Sequence, residues 1–325
     1  MRLNFLHLDD ALMRQAEFAK AGAARGARDI DLRQLGPNVR LWAREPEWQE
    51  LTGLLARDLP GLESGEPVVT WMGSGDFHHV TALLVELLAK ERGVPITVVA
   101  FDNHPDWVNM PSAVHCGSWV KHILDRKIAD RVVGLGMTSS DFSWPEPKRA
   151  GLDAVADGRL VLFPINDAAS IVWGNYGSGP NHSQNGRRLS WRGIASEPNN
   201  QDADRVLAAI VTPAIYITID KDVLIASDAR TNWDQGQMKL DQLLAWLRIL
   251  IKHHTVLGVD IAGDYSRATF GGAAIDRFLK RSEIFLDQPD GLRTQFFATR
   301  DEAATNSVNA ATNLAILNTL EGALC

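Results

Sequence analysis

The sequence predicts an α/β fold: one domain built as a three-layer α/β/α sandwich around a mostly parallel sheet. Three observations lead there. Short apolar, β-branched runs recur along the chain, helix-like segments separate them, and the runs lack strict apolar–polar alternation. A strand that is apolar at successive positions has both faces covered. Strand and helix in alternation give a parallel sheet with helices on both sides.

In chain order, residues 1–60 carry few strand signals, and "VRLWA" (39–43) reads as an edge strand. "PVVTWM" (67–72) is the first clear strand, followed by the helix-like "HHVTALLVELLAKERG". Next come "ITVVAF" (96–101), "RVVGLG" (131–136) and "RLVLFP" (159–164). Residues 166–205 break the rhythm. They are rich in Gly, Asn, Ser and Pro and read as a long loop excursion or lid. Strands resume with "AIYITI" (214–219) and "TVLGVDI" (255–261). Between these two lies "KLDQLLAWLRILIKHH", where Leu240, Leu243, Leu244 and Leu247 share one helical stripe. Because the strands continue across the excursion, residues 1–325 are expected to form a single domain. "NAATNLAILNTLEGAL" (309–324) reads as a helix, packed on its own domain or at an interface between copies.

Composition narrows the function. The chain has 325 residues, 45% of them apolar and 22% charged, with a net charge of −7. That balance is globular and gives no pull toward nucleic acid or an anionic membrane. No basic block or aromatic–basic interleaving occurs. Cys116 and Cys325 are the only cysteines, which excludes a disulfide framework and zinc-finger spacing. Acidic residues appear by position 9 and no run of about 18 apolar residues exists, so neither a signal peptide nor a membrane span is expected. A cytoplasmic location is the corresponding expectation.

In open α/β sheets, ligands bind beyond the carboxyl ends of the strands. Four of the strands run directly into metal-capable groups. "GSGDFHH" follows the 67–72 strand with Asp76, His78 and His79, and "DNHPD" follows the 96–101 strand with Asp102, His104 and Asp106. "DKD" supplies Asp220 and Asp222, and "DIAGD" supplies Asp260 and Asp264. Residues two apart in extended chain point the same way. Asp102 and His104 therefore share a face, as do Asp220 and Asp222, and Asp106 joins them if the chain turns at Pro105. One His of the 78–79 pair completes four carboxylates and two imidazoles. Four clustered carboxylates take up protons unless cations sit among them. Two divalent ions would balance the charge, and an oxygen-rich set with two His suits Mn²⁺, with zinc, iron and cobalt left open. A single Asp after a strand is more often a helix cap or turn residue, so Asp76 or Asp260 alone signifies little. The weight rests on the clusters occurring together.

These motifs resemble the Gly-Gly-Asp-His, Asp-Ala-His-x-Asp and Asp-x-Asp segments of the ureohydrolase superfamily of arginases, agmatinases and formimidoglutamases, in the same order over residues 67–266. The resemblance implies an arginase-like domain with two Mn²⁺ per chain. It implies that Asp102 and Asp220 bridge the ions, that Asp106 and His78 hold one, and that His104 and Asp222 complete the other. Phe77 separates Asp76 from the histidines, so His79 is the substitute for His78. His115, followed by Cys116 and Gly117, falls at the family's proton-shuttling His, and Cys116 itself reads as a buried small hydrophobe. Where family members carry a Glu that pairs with the substrate's guanidinium, this chain has Gly263, and Asp264 beside it is the candidate substrate-binding anion. Trp107, Trp119, Trp173 and Trp233 lie near the same edge, as walls for a flat or cationic substrate or as ordinary packing.

The expected function is a binuclear metal hydrolase that cleaves the C–N bond of a guanidino or amidino compound by metal-bound hydroxide, with Asp106 and His115 as catalytic residues. The alternatives are a metal-dependent amide hydrolase or deacetylase on the same framework and a non-catalytic metal-binding protein. A two-metal phosphoesterase would need a D-x-H and a G-D-x-x-D segment, which the chain lacks. "MGSGDFHH" is no dinucleotide fingerprint, since His78 takes the third glycine's place. The partner expected is a small molecule, and the resemblance implies a homo-oligomer.

Overall fold

The structure, a computed structural model, describes residues 1–195, 198–288 and 301–324. Its main sheet has eight strands: β1 (Arg2–His7), β2 (Arg28–Asp31), β4 (Val68–Trp71), β5 (Ile96–Phe101), β7 (Arg131–Leu135), β8 (Leu160–Phe163), β12 (Ala214–Asp220) and β13 (Thr255–Ala262). Their spatial order is β2-β1-β4-β13-β12-β5-β7-β8, and every neighbouring pair is parallel. The mostly parallel α/β sandwich predicted by the sequence is the one observed. The six clear strand runs all form, within a residue or two of their expected bounds.

Alternate residues of each strand enter opposite cores, which is why the runs read as continuously apolar. Val98, Ala100, Val132, Leu160 and Leu162 pack with Leu51, Leu55, Leu84 and Leu88, which lie on α3 (Glu45–Asp58) and α4 (Thr81–Arg92). Val99, Phe101, Val133, Val161, Ile217 and Ile219 face the other way. There they meet α8 (Leu240–His253) through Leu243, Leu247 and Leu250, and α10 (Glu302–Leu324) through Ile316, Leu317 and Leu320. The C-terminal helix thus packs on its own chain, against α8 and α1 (Ala16–Ala24). No helix among the described residues is long and apolar enough to cross a membrane.

Two expectations are corrected. Residues 39–43 are not an edge strand of the sheet. Gly36–Val39 is a short helix, α2, and β3 (Trp42–Ala43) pairs antiparallel with β6 (Val114–His115) instead. The run breaks because Arg40 is buried in ion pairs with Asp9 and Asp76, and Leu41 takes a left-handed φ of 66°. The excursion is also not a bare loop. β9 (Ala168–Ile171), β10 (His182–Asn185) and β11 (Arg188–Trp191) form a three-stranded antiparallel sheet, and α7 (Asn200–Ala209) starts within it. Trp191 anchors that small sheet against Trp107 and Phe142, with ring centroids 6.0 and 5.3 Å away.

The four strands that carry the polar motifs, β4, β13, β12 and β5, are consecutive in the sheet. Parallel strands end on one edge, so their carboxyl-terminal turns converge on one place.

Candidate functional site

The first motif forms a 3-10 turn, Gly75–Val80, whose start is capped by Ser74 accepting from the Asp76 N–H at 3.2 Å. Gly75 must be glycine: a Cβ there would lie 2.6 Å from Asp220 Oδ2. The turn sends successive side chains to different places. Asp76 enters the interior and accepts from Arg40, Trp233 Nε1 (3.0 Å) and Gln288 Nε2 (2.9 Å), so it is an anchor for three segments and not a member of the cluster. Phe77 is buried beneath the Arg40 guanidinium, 4.8 Å from ring centre. His79 stacks on Trp48 with neither ring nitrogen bonded, and burial pushes its pKa well down. His78 alone of the pair turns to the carboxylates.

His78 Nδ1 lies 3.2 Å from Asp102 Oδ2, 3.1 Å from Asp106 Oδ2 and 3.7 Å from Asp220 Oδ2. Its Nε2 is 2.9 Å from Thr218 Oγ1, which donates in turn to Asp260 at 2.6 Å. The Thr218 hydroxyl spends its proton on the carboxylate, so it accepts from His78 Nε2–H. That leaves Nδ1 facing the cluster, as a donor to its carboxylates here and as the nitrogen that a cation would claim on displacing the proton. Asp260 is further held by Tyr216 and Thr81, at 2.8 and 3.1 Å.

His104 repeats the design. Its Nδ1 is 3.0 Å from Asp222 Oδ2 and 3.7 Å from Asp102 Oδ1, while its Nε2 is bonded to Asp234 Oδ1 at 2.8 Å. Asn103 ties the turn to Thr138 and shares Asp234 with His104, donating to its backbone carbonyl and to its carboxylate. Asp106 adopts φ 47° after Pro105, which completes the turn toward the cluster, and accepts from Trp119 Nε1 at 2.6 Å.

Two groups can each hold an ion: His78 with Asp102 and Asp106, and His104 with Asp102 and Asp222. Asp102 is common to both. Asp220 lies beside them, accepting from the Asp222 N–H at 3.0 Å. All four carboxylates are buried. Burial and the Asp102 charge push Asp106 up to about 7 and Asp220 up to about 6. Burial and the charges of Asp220 and Asp102 hold Asp222 well above the usual carboxylate range. Burial disfavours the charged rings of His78 and His104, but surrounding carboxylates outweigh it and raise both. A cluster that must take up protons to stay closed fits divalent cations as their replacement, and the two Nδ1 atoms that face its carboxylates fit the same role.

Above the cluster opens a cavity of about 530 Å³, walled by Trp107, His115, Trp233, Asp234, Glu283 and Asp287. His115 Nδ1 accepts from the Gly117 N–H at 2.8 Å, so the proton on Nε2 goes to Glu283. Glu283 and Asp287 come from α9 (Ala274–Asp287). Cys116 is buried at the wall, and burial pushes its thiol up. Trp119 is buried against His78, ring centroids 5.0 Å apart, whereas Trp173 is exposed at the surface.

Asp264 does not reach this cavity. It is sealed in the interior in an ion pair with Lys221, with Asn313 alongside, so its expected substrate role is corrected. Gly263 has φ 92°, and a Cβ there would sit 2.5 Å from both Asp220 Oδ1 and the Lys221 backbone nitrogen. Thr218, Asp234, Glu283 and Asp287 escaped the sequence reading. Thr218 had a signal, being two residues before Asp220 on the same strand face; the other three had no local one.

No family model matches the chain. An uncharacterized protein of Thermotoga maritima is 25% identical over 214 residues, which is 65% of this chain and 65% of the relative's length. Three solved structures align with a TM-score of 0.51 each. A hypothetical agmatinase from Burkholderia thailandensis is 15% identical, over 99% of this chain and 86% of that one. Formimidoylglutamase from Bacillus subtilis has the same identity and coverage. Helicobacter pylori arginase is 13% identical, over 86% of this chain and 96% of that one. The chain therefore has the arginase/ureohydrolase fold.

Proposed function

We propose that this protein is a metal-dependent hydrolase that cleaves a C–N bond of a guanidino or amidino compound. The observation that supports it most is the pair of His–Asp groups sharing Asp102 at the floor of an acidic cavity. His78, Asp102, Asp106 and Asp220 would hold one divalent ion, and Asp102, His104, Asp220 and Asp222 the second, with Mn²⁺ as the first choice. The ions would lower the pKa of a water and polarise the carbon under attack.

The remaining work falls to side chains. Asp106, fixed by Trp119, orients the attacking water by accepting its hydrogen bond. His115 passes a proton to the leaving amine and is held in one tautomer by Gly117 and Glu283. With position 263 closed to a side chain, Glu283 is the carboxylate placed to receive a cationic group, and Asp287 and Asp234 add to the negative field. A substrate cation is favoured by that field, and its flat face suits the Trp107 and Trp233 walls.

The test is urea or amine release from a panel of guanidines and amidines by Mn²⁺-loaded protein. Silence across that panel combined with cleavage of an acetylated amine would move the assignment to an amide hydrolase. Two ions per chain without any hydrolysis would leave a metal-binding protein.

A further inference from the structure

The small sheet of β9, β10 and β11 has two unlike faces. Leu189 and Trp191 of β11 are buried in the core cluster that also holds Trp107 and Phe142. Arg188 and Ser190 alternate with them and share the opposite face, and Arg192 continues the alternation one residue past the strand. The strand register sets Ser183 of β10 opposite Ser190 on one side and Ala169 of β9 on the other. These residues line an open cavity of about 430 Å³, and Arg205 of α7 lines it too. That volume lies within the range of small-molecule sites. Asp167 is the one carboxylate among the described lining residues, and it accepts from the Gly193 N–H at 2.9 Å. Arg205 is satisfied by its surroundings, donating to Asn181 Oδ1 at 2.8 Å, to the Gly193 carbonyl at 2.6 Å and to Asp202. Arg188 and Arg192 are exposed, and their guanidinium groups make no hydrogen bond or ion pair among the described residues. The Ser183 and Ser190 hydroxyls are likewise unbonded there. His182, which is buried and lines the same cavity, has no partner for Nε2.

We infer that this cradle binds the phosphate group of a small phosphorylated molecule. Two guanidinium forks and two hydroxyls offer donors from both ends and from the middle of one strand face. A phosphate presents three terminal oxygens and can accept from all of them, whereas a planar carboxylate presents two. Like charges gathered without a counter-charge also favour an anion from solution. The chain as a whole carries a net charge of −7, and the arginine pair sits in one cavity without a basic track leading away from it. That argues for a compact anion over the backbone of a nucleic acid. The cradle is separate from the metal-capable cluster and does not depend on the hydrolase reading. The two are neighbours through one strand, since Trp191 of β11 packs on Trp107, a wall of the larger cavity.

Calorimetric titration of the full chain with inorganic phosphate, glucose 6-phosphate, succinate and a single-stranded RNA oligonucleotide tests this. Both phosphates are expected to bind at one site per chain, more tightly than succinate. Arg188→Gln and Arg192→Gln should each weaken them roughly 10–100-fold, the range for one lost charge-assisted hydrogen bond. Both side chains are exposed and unpartnered, so the circular dichroism spectrum should not change. A second variant works in the other direction. Asp167→Asn keeps an acceptor for the Gly193 N–H and removes the negative charge, so phosphate should bind more tightly. Absence of phosphate binding at millimolar concentration, an affinity indifferent to both arginine variants, a preference for succinate, or binding of the RNA with neither small phosphate bound would overturn the inference.

Discussion

His115 and Glu283, separated by 168 positions in the chain, share a hydrogen bond at the wall of the cavity. One sits at the end of a two-residue strand and the other on the far flank of an amphipathic helix. The bond fixes the imidazole tautomer and places a carboxylate above the metal-capable cluster. Glu283→Gln keeps shape and removes charge. For a cationic substrate, kcat/KM is expected to fall by roughly 10–100-fold, the range for one charge-assisted hydrogen bond. A neutral substrate should lose far less. Equal losses for both would show that Glu283 serves only to position His115.

Thr218 controls which nitrogen of His78 faces the carboxylates. Thr218→Val keeps the volume and deletes the relay to Asp260. Mn²⁺ affinity should fall on the order of 10–100-fold, as for other lost partners of ligating histidines. Titration calorimetry reads this directly, and unchanged affinity would remove the relay's assigned role.

The protonation of the cluster sets a pH dependence whose sign can be worked out. Asp106 near 7 and Asp220 near 6 hold protons in the folded, cation-free protein that the unfolded chain releases near pH 4. The folded state binds more protons, so stability falls as pH rises from about 4 to about 7. His78 and His104, both raised, act in the same direction, their contribution being lost as pH climbs through their raised values. Asp102, depressed chiefly by bonds to His104 and His78 against the effect of burial, works oppositely and only in the acid range. The melting temperature in chelator should therefore drop between about pH 5.5 and pH 8, and Mn²⁺ should restore it most at the higher pH. A rise in chelator over that interval would contradict the account.

Arg40 joins Asp76 at 2.5 Å and Asp9 at 3.0 Å, with all three side chains buried. Arg40→Met strands two carboxylates in the interior. Destabilisation of about 3–5 kcal/mol is expected from breaking such a pair, measurable by denaturant unfolding. A cost below about 1 kcal/mol would mean that water reaches the pair.

Gly263→Glu tests whether the turn after β13 can carry a carboxylate toward the cavity. The backbone there is left-handed, and the new Cβ would strike Asp220 and Lys221. The variant should lose Mn²⁺ binding and gain no guanidinium preference. Gain of that preference with the metal retained would show that the β13 turn adapts.

What the sequence by itself determined follows from short-range rules. The six clear strands were legible because burial on both faces leaves a continuous apolar run. Asp102, His104, Asp220 and Asp222 were legible because residues two apart on an extended chain share a face. Residues 166–205 failed because their polar strands form a small sheet that owes its place to Trp191 packing on Trp107 and Phe142, a contact invisible to composition. The sequence preferred His78 and kept His79 in reserve; the tertiary structure separates them, because the 3-10 turn rotates the second ring onto Trp48. Only it removed Asp264 to a buried pair with Lys221 and brought Glu283 across from α9. Local periodicity fixes which way a side chain leaves its own strand, whereas the partner it meets depends on how distant elements pack.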